Sequence, residues 1–414
     1  MQIKQRNERQ KVRLVISVIV LCGMLGLLSA CGGQKALEFQ SESSAGKEEI
    51  SEPVSAEEEM QPEEIPLTEE EIAQLEKETI ENRFDEDDQV IWQECADENE
   101  IVMDFIGDIN LAEGWRTVEF MDDQANGIYD CLSPDVMQEL NSADILMINH
   151  EFTLSTKGDP LDGKAYVFRG KPSRVQVLKD MGADVASLAN NHAYDYGPEA
   201  LVETMEVLEE AGIPYVGAGR DIDEAMKPVY FVANGKVIGI VAATQVERST
   251  NYTKEATEDR AGVLKTLNPD KFLEVIKEAE SKSDYVIAFV HWGTENTNYY
   301  EGDQVELAKQ FADAGADVII GGHTHCLQGI DYVKGVPVIY SLGNFWFNYK
   351  TIDSGISQVV IDRDGEIEFR FLPCVQKNCR TYMAESEERQ RIIDFMNRIS
   401  GDAHIDESGV VNEQ

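Results

Sequence analysis

The sequence predicts an α/β layered sandwich, with helices flanking β-sheets in a single catalytic-type domain. Three observations predict it. From Ile101 to Leu372, short β-branched runs alternate with stretches of helical periodicity, the pattern of a layered α/β fold. The phrase Gly-Ala-Asp-Val occurs at 182–185 and again at 315–318, each time with glycine stopping a helix and valine entering a strand. At 414 residues and 42% hydrophobic content, the chain can bury one large core and still carry appendages.

Taken in order, the chain begins as a targeting segment. Lys4, Arg6, Arg9, Lys11 and Arg13 precede an uncharged run from Leu14 to Leu28, the length of a signal h-region and too short to span a bilayer comfortably. Leu28-Ser29-Ala30-Cys31 then resembles a bacterial lipobox. That resemblance implies a signal peptide over 1–30, cleavage before Cys31, and a lipid on its sulfur that anchors the protein on the extracytoplasmic face of the cell membrane. Residues 31–97 are rich in Glu, Ser and Pro and poor in aromatics, so lipidated Cys31 is expected to lead an acidic, disordered tether. One piece of it, opening at the capping box Thr68-Glu69-Glu70-Glu71, has the marks of a short helix.

The main domain is expected over 98–383. Its candidate strands are Ile101–Ile106, Ile145–Ile148, Val185–Leu188, Tyr215–Val216, Val237–Ala242, Tyr285–Val290, Val318–Ile320 and Val338–Tyr340. Its candidate helices are Ser173–Met181, Pro198–Ala211, Pro269–Ala279 and Asp303–Ala314. Alternating residues around Asp364-Gly365 predict a hairpin between Gly355 and Leu372. Residues 384–414 read as an amphipathic helix over Glu385–Ser400 and a frayed polar tail.

The formal charge of −42, from 78 acidic and 36 basic residues, argues against nucleic acid as a partner, because phosphate backbones are held by Lys and Arg. Past Cys31 five cysteines remain. An odd number leaves at least one free thiol; Cys374 and Cys379 are close enough in sequence to bridge, and Cys326 reads as core packing.

In α/β sheets ligands collect at the carboxyl ends of strands. Here those ends carry Gly107-Asp108-Ile109-Asn110, Asn149-His150-Glu151, Asn190-Asn191-His192, His291-Trp292-Gly293 and Gly321-Gly322-His323-Thr324-His325. Carboxylates, amides and imidazoles together suit Mn, Fe or Zn. On an extended backbone His323 and His325 would point the same way, toward one centre.

These blocks resemble, in order, those of the calcineurin-like metallophosphoesterases. With Ser187-Leu188-Ala189-Asn190-Asn191-His192-Ala193-Tyr194-Asp195-Tyr196-Gly197 and Tyr340-Ser341-Leu342-Gly343-Asn344-Phe345, they look more closely like the CapA family, which is tied to poly-γ-glutamate capsule synthesis. The resemblance covers about Glu100 to Leu372. It implies a metallophosphoesterase-like sandwich holding two divalent ions: Asp108 and His325 on the first, Asn191, His291 and His323 on the second, Glu151 bridging both. Asn110 is a further candidate ligand of the first, standing where phosphoesterases have a histidine, and its amide oxygen is a weaker ligand than imidazole. His192 would be the general acid, oriented by Asp195. Arg169 and Lys171, at the start of a helix, and Asn344 are candidates to bind an anionic substrate. Tyr299, Tyr300, Trp346, Phe347 and Tyr349 could line a groove. The function implied is making, exporting, anchoring or trimming an anionic extracellular polymer. The alternatives are a non-catalytic subunit of a membrane synthesis complex and a phosphoesterase of small extracellular substrates.

Overall fold

A computed structural model describes residues 67–414. The signal peptide, Cys31 and most of the tether lie outside the described residues. Two compact units are distinguished, Met1–Glu76 and Lys77–Gln414. In the first, the expected capping box is formed: the Glu71 carboxylate accepts from Thr68 N (2.8 Å) and the Thr68 hydroxyl accepts from Glu71 N (3.2 Å). It opens the helix Glu69–Glu81. Among the described residues no helix is long and apolar enough to cross a membrane.

The second unit is built on two sheets. The seven-stranded sheet has the order Gln89–Gln93, Val229–Ala233, Lys236–Thr244, Tyr285–His291, Val318–Gly322, Val336–Ile339, Ile330–Val333. The other runs Arg380–Met383, Ile367–Lys377, Ile352–Asp362, Glu100–Ile109, Ile145–His150, Val185–Ser187, Tyr215–Val216, with Asn344–Trp346 also pairing with Glu100–Ile109. Alternation along each strand decides the layers. Ile287 and Phe289 face an inner core shared with Met103, Phe105, Ile145 and Met147 of the other sheet. Val286, Ala288 and Val290 face outward onto Phe272, Ile276 and Phe311 of the helices Asp270–Lys282 and Gly302–Ala314. Leu146, Ile148 and Ala186 likewise meet Leu201, Met205 and Leu208 of the helix Pro198–Ala211. Strands covered on both faces need no polar side, hence their continuous apolar runs. The result is the expected layered α/β sandwich, helix–sheet–sheet–helix.

The expected strands and helices are all present, and the hairpin joins Ile352–Asp362 to Ile367–Lys377. Two boundaries differ. Gln89–Gln93, inside the stretch assigned to the tether, pairs in parallel with Val229–Ala233, so the folded unit starts before residue 98. The tail is not frayed: Ala403–Ile405 pairs with Val411–Glu413, and Ala403, Ile405 and Val411 are buried beside Ile392 and Met396 of the helix Ser386–Ile399. Cys374 and Cys379 are both free; their thiols meet Leu372 O and Arg116 O respectively. Cys326 is half-buried beside the Thr324 hydroxyl.

Candidate metal centre

The parallel strands Glu100–Ile109, Ile145–His150, Tyr285–His291 and Val318–Gly322 end side by side across the two sheets. Asp108 lies at the first of these ends, directly after a position where only glycine fits. A Cβ on Gly107 would stand 1.9 Å from Gly343 O, whereas Asp108 N donates to that carbonyl at 2.8 Å. A Cβ on Gly322 would stand 3.1 Å from Asp108 Oδ1 and 3.2 Å from Asn149 Nδ2, inside ordinary contact distance.

Two groups of donors converge here. Ligand atoms of Glu151, His291 and His323 lie within 4.8 Å of one another, and so do those of Asp108, Glu151 and His325. Glu151 is common to both. Asn191 joins the first group, its Oδ1 standing 2.7 Å from His291 Nε2, and His323 Nδ1 stands 3.1 Å from that same nitrogen. The His-x-His pair therefore falls in two donor groups instead of one, and not through an extended backbone. His323 (φ 95°) and His325 (φ 58°) are both left-handed, and their ring centroids are 6.1 Å apart.

The electrostatics fit cations. Glu151 is fully buried, and among the described residues neither carboxylate oxygen has a hydrogen-bond partner. Burial, then the neighbouring Asp108, push its pKa well above the carboxylate range. Burial also drives His291 down to about 3 and His323 well below its usual value, so both rings are neutral and offer lone pairs at physiological pH. Asp108 and His325 behave as a pair, with His325 Nδ1 3.2 Å from Asp108 Oδ2. Burial opposes both charges, but the pairing prevails, holding Asp108 below and His325 above their usual ranges. A bare buried carboxylate among neutral imidazoles is costly. A divalent ion supplies the missing charge, so the residues present fit a metal.

Asn110 does not join the first group in the way expected. Its Oδ1 accepts from Ala112 N at 2.8 Å, and its buried amide nitrogen has no partner among the described residues. That arrangement turns the liganding end of the side chain to backbone duty. His150 also stays out; it is fully buried and stacks on Phe152 at 3.8 Å.

His192 sits beside the centre as a hydrogen-bonded pair with Asp195. Its Nδ1 is 2.7 Å from Asp195 Oδ2, and its Nε2 is 3.9 Å from Glu151 Oε1. Because an ionised carboxylate only accepts, Nδ1 carries the proton and Nε2 presents a lone pair. Burial lowers the His192 pKa against the opposing pull of Asp195. A cavity of about 400 Å³ opens over this region, lined among others by Lys164, Tyr166, Asn191, His192, Glu247 and His323.

The expected substrate cations are elsewhere. Arg169 lies over the Tyr196 ring at 3.8 Å and donates to Lys157 O and Gly158 O; Lys171 pairs with Glu113 at 3.0 Å. Neither lines the cavity. Asn344 is buried and holds His325, with Oδ1 2.8 Å from Nδ1. Of the aromatics, Trp346 is core, Tyr300 stacks on Tyr340, and Tyr349 packs under Arg116. Tyr299 is exposed, and Phe347 touches His325 at 4.8 Å.

Two residues without a role assigned from the sequence complete the site. Asn149 Nδ2 donates to Asp108 Oδ1 at 2.6 Å and stands 3.2 Å from His291 Nδ1, tying the two donor groups together. Lys164 reaches Asp195 and the Asn191 carbonyl.

Residues 102–349 match the model of the bacterial capsule synthesis protein PGA_cap, a span that contains every residue of both donor groups. The chain belongs to the PGA_cap family. It is 33% identical over 277 residues to the PGA biosynthesis protein CapA of Bacillus subtilis (strain 168), covering 65% of this chain and 70% of that one. It is 36% identical over 202 residues to the capsule biosynthesis protein CapA of Bacillus anthracis, covering 47% and 48%. A probable polyglutamine synthesis accessory protein of Mycobacterium tuberculosis (strain ATCC 25618 / H37Rv) is 30% identical over 225 residues, covering 52% and 58%. The chain thus spans roughly half the length of the latter two relatives. The PGA_cap match stops before the C-terminal hairpin, the closing helix and the last strand pair.

Proposed function

We propose that this PGA_cap protein is a lipid-anchored, extracytoplasmic hydrolase acting on an anionic envelope polymer such as poly-γ-glutamate, with two divalent ions (Mn, Fe or Zn) held around Glu151. The observation that carries this reading is the position of Glu151 between two donor groups, with the His192–Asp195 pair facing it. Asp108 and His325 would hold one ion, Asn191, His291 and His323 the other, and Glu151 both. Two such ions lower the pKa of bound water and stabilise negative charge developing on the attacked group. Asn149 keeps Asp108 and His291 in register, and Asn344 orients His325. Asp195 fixes the His192 tautomer, so that Nε2 takes up a proton and delivers it to the departing group. The named roles of the capsule-synthesis relatives support the polymer as substrate.

The engagement of the Asn110 oxygen by Ala112 N favours a second reading, in which the first ion is weakly held and the protein is a non-catalytic subunit of a membrane synthesis complex. One experiment separates them. Full-length protein, loaded in turn with Mn²⁺, Fe²⁺ or Zn²⁺, is incubated with γ-glutamyl oligomers and with aryl and alkyl phosphoesters. New amino termini support polymer hydrolysis, and phosphate release supports a phosphoesterase. If neither product forms with any metal while the oligomers still bind, the assembly reading stands and the hydrolase reading falls.

A further inference from the structure

We propose that Lys164 is a positioning residue for the second metal group, a cationic strut that sets the Asn191 ligand and the His192–Asp195 pair from outside the centre. This rests on the reading of Asn191, His291 and His323 as metal ligands. The Lys164 side chain is only 8% exposed, although it comes from a loop on the cavity rim. Its ammonium donates to Asp195 Oδ1 and to the backbone carbonyl of Asn191, and Glu247 Oε1 lies 3.7 Å away.

The same carbonyl and carboxylate are gripped from other directions. The Thr253 hydroxyl donates to Asn191 O at 2.7 Å, and Phe168 N donates to Asp195 Oδ2 at 2.6 Å, beside His192 Nδ1. Glu247 in turn holds the Thr253 loop, accepting from Tyr252 N at 2.8 Å and Thr253 N at 3.2 Å. The Tyr252 hydroxyl closes the ring by donating to Gly163 O at 2.8 Å, next to Lys164. Two loops far apart in sequence, 156–168 and 246–255, are thereby tied together through the backbone of one metal ligand.

The arrangement has a consequence for the ligand. Asn191 offers a neutral amide oxygen, weaker than imidazole or carboxylate, so its contribution depends on being held in place. Four bonds from the two loops, two on its own carbonyl and two on Asp195, supply that hold. The charge also matters: Asp195, which acts on Glu151, and Glu247 are buried or half-buried carboxylates, and Lys164 is a cation set between them. Replacing it with a neutral side chain leaves the Asn191 carbonyl with one donor and the two carboxylates facing each other. Partners of this kind, behind the ligands themselves, change metal affinity by about 10–100-fold when removed.

The test is a Co²⁺ titration of the full-length protein, followed by visible absorption, for the unmutated chain and for Lys164→Met, Lys164→Arg and Thr253→Val. Lys164→Met is expected to weaken one Co²⁺ equivalent by about 10–100-fold while the other holds. Lys164→Arg should recover most of the loss, and Thr253→Val should weaken the same equivalent. The proposal is overturned if Lys164→Met leaves both equivalents unchanged or weakens both alike, or if Lys164→Arg binds no better than Lys164→Met. Should Lys164→Met fail to fold, Thr253→Val decides: an unchanged affinity there overturns the strut. An unmutated protein that takes up no Co²⁺ removes the metal-centre reading itself, a result distinct from a loaded centre indifferent to Lys164.

Discussion

Replacing Glu151 with glutamine should change the sign of its effect on stability according to whether metal is bound. Among the described residues the buried carboxylate has no hydrogen-bond partner, and its ligand oxygen lies within 4.8 Å of that of Asp108. At that separation and an effective dielectric constant of about 20, two unit negative charges repel by about 3.5 kcal/mol. In the metal-free protein, at pH above the raised pKa of Glu151, Glu151→Gln removes this repulsion. With roughly 2 °C of melting temperature per kcal/mol for a domain of this size, the variant should melt about 7 °C higher in EDTA. The pH dependence has a definite sign. A carboxyl whose folded pKa is raised stabilises the fold fully below its unfolded value and loses that contribution as pH rises through the folded pKa. The advantage of the variant in EDTA must therefore grow from pH 5 to pH 8. With metal present the order reverses. Two ions, each at about 100 times its dissociation constant, together stabilise the native state by about 5.4 kcal/mol, more than the repulsion of about 3.5 kcal/mol removed, and the variant forfeits most of that. Differential scanning calorimetry of the full-length pair, with EDTA and with excess Mn²⁺, reads both arms. A variant that is less stable in EDTA as well, or more stable with Mn²⁺ as well, would refute the reasoning.

Other outcomes follow from the same geometry. His192→Ala should keep near-normal metal content by elemental analysis yet lose about 10²–10⁴-fold in turnover, most on substrates with poor leaving groups; loss of metal would make it a ligand. Asp104, buried and hydrogen-bonded to Gln358, is pushed up to about 7 by burial. Its stabilisation is therefore present below about pH 4 and lost by about pH 7, a swing of up to about 4 kcal/mol. Asp104→Asn should flatten that slope in urea melts, and an unchanged slope would assign it to other groups. Cys31→Ser, at a position outside the described residues, should release the signal-cleaved protein from membranes on fractionation; continued attachment would point to another anchor.

Much of the fold was legible because its strands are apolar on both faces and its helices are punctuated by Gly and Pro. Pro198 and Gly212 bracket one helix as local chemistry dictates, the latter at φ 75°. Gln89–Gln93 was hidden because Val90, Ile91 and Trp92 sit in an acidic stretch, and only the partner strand Val229–Ala233, far along the chain, makes them a strand. The tail was missed for a similar reason: Ile405 and Val411 are isolated among polar residues until they pair. At the site, Asp108, Glu151, Asn191, His192, His291, His323 and His325 could be read because each closes a strand. The geometry of His323 and His325 could not, since alternation assumes an extended backbone and both residues are left-handed. Arg169 and Lys171 matched a helix-terminus anion site locally, but Tyr196 and Glu113 claim them in the fold. Lys164 carries no local signal at all. It lies in a polar loop, and its meaning depends on Asp195, Asn191 and Glu247 meeting it from elsewhere in the chain.

The central claim is that Glu151 joins two metal-binding groups, one completed by His325 and the other by His323. Elemental analysis of the full-length protein, the unmutated chain beside His323→Ala and His325→Ala, tests it most directly. The account predicts about two equivalents in the unmutated protein and the loss of one in each variant, with the remaining equivalent held by the opposite group. An unmutated protein that carries no divalent metal after loading, or variants that both retain the full complement, would contradict it.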